Sequence, residues 1–207
     1  MAEKRNKDEN ITIKNMKKPE KGQYGYIDYT KKKLLIMSII SLASVLIIFF
    51  TGVLLYKTNK SIFSIIAAVA SLPAAKLITG YIVLKPYKSA DMELFNLLTS
   101  MANENTEYKA IIGADLIISS TQKAMNIDLA YIINGKVICY TNHPKTDAKE
   151  LEKYLKEIFE KDGCQYSQIK VFIDDKKYLK AIEGIAKEVG KEYTDERLHN
   201  KLCAYSM

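Results

Sequence analysis

Leu34–Tyr56 reads LLIMSIISLASVLIIFFTGVLLY, 23 residues without a charge. Lys57-Thr58-Asn59-Lys60 follows, and Ile62–Leu84 is a second run of the same length, IFSIIAAVASLPAAKLITGYIVL. As an α-helix, each run covers about 34 Å, against about 30 Å for a bilayer's hydrocarbon core. Lipid offers backbone N–H and C=O groups no partner, and a helix satisfies its own. The pair predicts a transmembrane helical hairpin over 34–84 with a tight outer loop. On one side lies a basic tail, 1–33, expected to be disordered and cytosolic. On the other lies a domain of ordinary size, 86–207.

Charge is distributed unevenly. Residues 1–33 carry ten Lys/Arg and five Asp/Glu, whereas 86–207 carry 17 basic and 19 acidic residues, a net of −2. The excess positive charge therefore sits in and beside the apolar segment. The large domain lacks the overall basic footprint of a nucleic-acid binder, and no nucleic acid is expected as a partner. Cations gather before Leu34 and again at Lys85 and Lys88. Positive residues stay on the cytoplasmic side, which predicts a two-pass cell-membrane protein with both termini in the cytoplasm. The first run starts later and runs longer than a signal peptide's apolar region, and no small-x-small pattern closes it. Tyr24, Tyr26 and Tyr29, leading into Lys31-Lys32-Lys33, suit the headgroup zone.

Within the hairpin, Ser38, Ser41, Ser44 and Gly52 mark the first helix. Ala67, Ser71 and Ala75 recur at four-residue spacing in the second. Small residues so placed let two backbones approach closely, either within the hairpin or against another membrane protein or a second copy. Lys76 is the one ionisable residue inside a run. It falls level with about Leu42, near the three serines. Two readings stand: a ligand or lipid-head contact, or a side chain snorkelling to the cytosol past a kink at Pro73. Neither helix holds an acid with which Lys76 could form a relay, which favours the second.

The rest of the chain reads as mixed helix and strand. A helix is expected over 90–103, capped by Ser89. Strands are expected over 114–121, 125–133 and 136–141. The second alternates Met125, Ile127, Leu129, Tyr131 and Ile133 on one face. Asn134-Gly135 between the last two suits a two-residue type I′ turn, whose central residues both need positive φ. Asp147 or Thr146 caps the next helix, with Glu150 completing a capping box and Gly163 stopping it. A strand over 169–173 and a helix over 176–189 ending at Gly190 follow. Thr194 starts a last short helix. The fold class is α+β: a hairpin, then a mixed α/β domain of order α-β-β-β-α-β-α.

That order resembles the core of restriction-endonuclease-like nucleases. In that family an Asp on the second strand and a Glu-x-Lys on the third hold Mg²⁺, which prefers hard oxygen ligands. Asp128 stands on the second strand, but the third, Lys136–Thr141, has no Glu-x-Lys. The resemblance implies the fold without its metal site. Asp174-Asp175 closes a strand, where many sugar-nucleotide transferases keep a metal-binding pair. Capping of the following helix by one and interaction with its dipole by the other is the better account of the pair. These three aspartates are the metal candidates.

Other chemistry is sparse. There is no Gly-rich phosphate loop and no G-x-G-x-x-G, and no cofactor is expected. Ser119-Ser120-Thr121 has no neighbouring His to act as base. Cys139, Cys164 and Cys203 are odd in number and lack a C-x-x-C, as fits reduced cytosolic thiols. The tail's Tyr24-Gly25-Tyr26-Ile27, the hairpin, the Gly135–Thr141 strand and the Lys145-Thr146-Asp147 helix start resemble a family of uncharacterised two-helix membrane proteins of Gram-positive bacteria. Some members are labelled O-linked N-acetylglucosamine transferase-like; the family implies no catalytic residues. The expectation is a membrane protein with a non-catalytic binding domain. The alternatives are a metal-dependent enzyme using Asp128 or Asp174/Asp175, and an accessory subunit of a membrane complex.

Overall fold

The computed structural model describes residues 18–58, 62–104, 110–120, 123–185 and 195–207. Expectations on Lys60, Thr121, Ala186, Val189, Gly190, Thr194 and most of the basic tail lie outside these residues. The chain divides into two compact units. One holds residues 18–26 and 89–207, the other Ile27–Lys88.

The second unit consists of two helices, α1 (Tyr26–Tyr56) and α2 (Ile62–Leu84), each long and apolar enough to span a membrane. Helix α1 starts eight residues before the uncharged run. Its first turns carry Lys31, whose Nζ pairs with Asp28 at 2.9 Å and donates to the Tyr87 carbonyl at 2.6 Å. Buried positions are few and mostly small: Ile27, Ser38 and Gly52 in α1, Ala67 and Ala74 in α2. Leu34 lies against Gly80, and the rings of Tyr56 and Phe63 are 6.0 Å apart, so the helices run antiparallel. Only 6% of the most apolar window of α1 and 11% of that of α2 is buried.

The first unit is a four-stranded sheet between two pairs of helices. Helix α3 (Met92–Glu104) leads to β1 (Ile111–Ser119), β2 (Ala124–Ile133) and β3 (Lys136–Tyr140), an antiparallel meander. Helix α4 (Ala148–Lys161) crosses over to β4 (Gln168–Phe172), parallel to β3. Helices α5 (Asp175–Ile185) and α6 (Asp195–Tyr205) complete the unit. The sheet order is β1-β2-β3-β4.

Local signals account for many boundaries. Asn134 (φ 51°) and Gly135 (φ 72°) form the β2–β3 turn, with Ile133 opposite Lys136. Asp147 caps α4, accepting from Lys149 N and Glu150 N at 2.8 and 3.4 Å. Thr146 is not the cap; its hydroxyl accepts from Asn126 N at 3.2 Å. The cap of α3 is Asp91 rather than Ser89, with Glu93 N and Leu94 N donating to its carboxylate. Between the two, Ala90 donates its N–H to Asp115 Oδ1 at 2.8 Å.

One core lies between the sheet and α4 with α6, containing Leu151, Leu155, Phe159, Leu198 and Leu202. The other lies between the sheet and α3 with α5, containing Leu98, Tyr178 and Ile182. The expected single face of β2 is divided between them. Met125 and Ile127 join the first core, whereas Leu129, Tyr131 and Ile133 join the second. In β1, Leu116 and Ile118 likewise separate from Ile112 and Ala114. The cause is Asp115, at φ 56°, which turns β1 over. Pairing stays in register on both sides, with Ala114 opposite Leu129 and Leu116 opposite Ile127, so β2 turns with it. Pure alternation assumes extended backbone throughout and cannot register such a residue.

The tail preceding α1 also departs from expectation. Gly22 accepts from Ala114 N at 2.8 Å, Lys21 Nζ donates to the Ser206 carbonyl at 2.8 Å, and Tyr24 stacks on Phe95 at 4.9 Å. Residues 21–24 therefore belong to the sheet-bearing unit, where they and the C-terminal Ser206-Met207 cover the outer edge of β1.

Asp195 binds α6 to the hairpin turn, accepting from Asn134 N at 2.8 Å and Gly135 N at 2.7 Å. Asp195→Ala removes two charge-assisted bonds and is expected to lower stability by about 2–3 kcal/mol, with a smaller loss for Asp195→Asn. Urea unfolding measures both; equal, negligible losses would refute the role.

Candidate functional site

The predicted aspartates all act electrostatically on one tyrosine. Tyr140 ends β3, and burial raises its phenol pKa above the usual value. The carboxylates of Asp128, Asp175, Asp91 and Asp174 raise it further, in that order. Asp128 comes from β2, Asp91 from the start of α3, and Asp174 and Asp175 from the start of α5. The meander and the β3–β4 crossover deliver these elements to one end of the sheet. Asp91 was not among the sequence candidates. Its only local signal is a capping pattern, which is common to most helices.

Asp128 is 9% exposed and held from two sides. Asn126 Nδ2 donates to Oδ1 at 2.7 Å, and Asn142 N donates to Oδ2 at 2.6 Å. Burial raises its pKa above the usual carboxylate value; the two hydrogen bonds and nearby His143 pull the other way. Asn126 is 2% exposed, and its Oδ1 has no hydrogen-bond partner among the described residues. His143 Nδ1 accepts from Lys145 N at 3.3 Å. Asp174 caps α5, accepting from Lys177 N at 2.9 Å, and Asp175 accepts from Lys176 N at 2.7 Å. Among the described residues, no three His, Cys, Asp or Glu side chains stand close enough to hold one metal ion.

The remaining candidates are dispersed. Cys139 is fully buried in β3, and desolvation pushes its thiol up to about 12, the range of an inert core cysteine. Ser120 closes the β1–β2 turn through Lys123. In α1, Ser38 and Ser44 donate to the carbonyls of Leu34 and Ile40 at 2.6 and 2.9 Å, and Ser41 is half-buried. In α2, Pro73 and Lys76 are exposed. Gly52 and Ala67 are buried, while Ser71 and Ala75 face outward; Ala74, seven residues after Ala67, is buried instead. A seven-residue step keeps nearly the same side of a helix, whereas a four-residue step drifts around it.

A second cluster was not read from the sequence. Cys203 Sγ lies 3.7 Å from His199 Nε2 on α6 and donates to the Lys21 carbonyl at 3.4 Å. Gly22 (φ 84°) passes so close that a Cβ there would lie 2.5 Å from Cys203 Sγ. Burial raises the Cys203 thiol and lowers the His199 imidazole. Both shifts favour the neutral pair, opposite to the thiolate–imidazolium pair of a cysteine nucleophile. The i, i+4 spacing is visible in sequence, but the contact with Gly22 is not.

In comparison with known proteins, no family model, no curated protein and no solved structure matches this chain.

Two titrations test the cluster. An acid with a folded pKa above its unfolded value of about 3.9 keeps its proton longer in the folded state. Stability should therefore fall as pH rises from about 4 through the raised value, then level off. Asp128→Asn should remove that fall and lower the Tyr140 phenol pKa, read by NMR of labelled tyrosine. An unchanged Tyr140 titration would show that the carboxylate is remote.

Proposed function

We propose that the protein is a two-pass membrane protein of the cell membrane, with both termini cytoplasmic and a non-catalytic binding domain in the cytosol. The observation that carries the anchor is the uncovered apolar surface of α1 and α2. Leu54 is 78% exposed, Leu72 69%, and Ile47, Ile65 and Leu55 66% each. A core helix of a water-borne domain buries such side chains, whereas lipid accepts them. The resemblance to two-helix membrane proteins of Gram-positive bacteria supports the same reading. Lys32, Lys33, Lys85 and Lys88 are exposed and flank the apolar runs on the side given to the cytoplasm.

The binding reading rests on the carboxylates around Tyr140. Asp128 is buried and Asp91, Asp174 and Asp175 are exposed, and charge of one sign favours a cationic partner, such as a basic peptide segment. The element order supports a likeness to restriction-endonuclease-like folds, and the metal-dependent alternative would draw on Asp128 with Asp174 or Asp175. Their oxygens already accept N–H donors, which favours binding over catalysis.

Alkaline carbonate should leave the full chain in the membrane. An impermeant maleimide should label Lys57→Cys on intact cells and Cys203 only after permeabilisation. Release by carbonate, or labelling of Cys203 on intact cells, would overturn the anchor or its orientation.

A second reading, a subunit of a membrane complex, is favoured by the outward small residues Ser71 and Ala75. Ser71→Leu with Ala75→Leu should abolish crosslinked higher species of the full chain in membranes. Unchanged crosslinking would refute that reading.

A further inference from the structure

Asn134-Gly135 is the one Asn-Gly pair in the chain, and it forms the β2–β3 turn. Asparagine before glycine is open to an internal reaction, because no Cβ shields the glycine nitrogen. Deprotonated Gly135 N attacks Asn134 Cγ and closes a five-membered imide. The Cγ–Nδ2 bond breaks, and that nitrogen takes up a proton and leaves as ammonia. Water then opens the imide at either carbonyl, leaving aspartate or its β-linked isomer at position 134.

One carboxylate engages both backbone nitrogens of this turn. Gly135 N donates to Asp195 Oδ1 at 2.7 Å, and Asn134 N donates to Oδ2 at 2.8 Å. The Gly135 carbonyl is held as well, accepting from Ser167 N at 2.7 Å. Both residues keep left-handed backbone, and Asn134 is buried.

We propose that Asn134 is a deamidation site that Asp195 holds closed. The nucleophile is the Gly135 nitrogen after loss of its proton, and Asp195 acts on it twice. The bond to the N–H must break before the nitrogen can turn toward Cγ. The negative charge of Asp195 also disfavours a second negative charge on that nitrogen. Carboxylates are far too weakly basic to remove an amide proton outright. Loss of the charge-assisted bond alone corresponds to about a ten-fold or greater acceleration. Conversion adds a carboxylate beside Asp195, and the β-linked product also lengthens the backbone within the turn. Either change opposes the return of α6 to the turn, so the modification runs one way.

The test incubates the full chain in detergent at mildly alkaline pH and digests it with trypsin. Peptide Ala124–Lys136 contains Asn134 and also Asn126, whose bulky neighbour Ile127 makes it a slow control. Fragmentation assigns the amide-to-acid mass gain to one or the other, against an unincubated sample. Asp195→Ala should convert Asn134 about ten-fold or more faster than wild type. Asp195→Asn, which keeps an oxygen acceptor without the charge, should fall between them. Amide protection at Val171 reports whether the sheet stays folded; if Asp195→Ala loses it, Asp195→Asn carries the comparison. Lys201→Ala removes the 2.8 Å ion pair of α6 with Asp162 and leaves the turn alone, so it should match wild type. The urea-unfolded wild-type chain should convert fastest. The proposal falls if Asn134 stays intact in urea, or if wild type converts as fast as the Asp195 variants. It falls equally if Lys201→Ala accelerates conversion as much as they do.

Discussion

The left-handed backbone of Asp115 is the constraint on which the sheet-bearing unit depends. A residue with a Cβ pays about 1–2 kcal/mol for this conformation. A buried carboxylate accepting a backbone N–H contributes about 1.5–3 kcal/mol, enough to hold it. Asp is therefore the residue type that suits the position: short enough to reach Ala90 from its own strand, and tolerant of positive φ. Glycine would accept the backbone but offer nothing to Ala90. What the constraint achieves is a division of labour along two strands. Ile112 and Ala114 serve the core under α3 and α5; Leu116 and Ile118 serve the core under α4 and α6.

That division explains why β2 is buried along nearly its whole length. Except for Ala124 at its start, every residue of Ala124–Ile133 is buried. A strand with helices on both faces needs apolar groups at successive positions, and Leu129-Ala130-Tyr131-Ile132-Ile133 supplies them. The polar exceptions in β2 are Asn126 and Asp128, which bond to each other. Burial of either alone would leave its polar atoms unmatched, at a penalty of about 1–3 kcal/mol. Together with Thr146 and the Asn142 amide they form a polar group in which, among the described residues, Asn126 Oδ1 has no partner.

What the sequence revealed depended on range. Two 23-residue runs, one uncharged and one with Lys76 as its only charge, announce long apolar helices because length and composition are sufficient. The Asn134-Gly135 turn and the Asp147 cap are local devices, legible because their geometry closes within four residues. The cap of α3 escaped because Ser89 and Asp91 are both good capping residues, two positions apart. Residues 21–24 escaped for a different reason: their partners are Ala114, Phe95 and Ser206, and a lysine-rich segment looks solvated until they are known. Likewise the alternation from Met125 to Ile133 is visible, but not that it serves two cores. At the candidate site, Asp128, Asp174 and Asp175 were individually visible. Their shared influence, with Asp91, on Tyr140 required the sheet order.

The character of that influence follows from where each carboxylate's lone pairs point. Asp91 and Asp174 accept from the first turns of α3 and α5, Asp175 from Lys176 N, and Asp128 from two donors on either side. A hard divalent cation asks for several oxygens turned to a common centre at about 2.0–2.6 Å. Here both oxygens of Asp128 and one oxygen each of Asp91, Asp174 and Asp175 are already engaged by backbone or amide donors of the protein itself. The negative charge survives this arrangement even though convergence does not, and a field acts over a longer reach than a chelate.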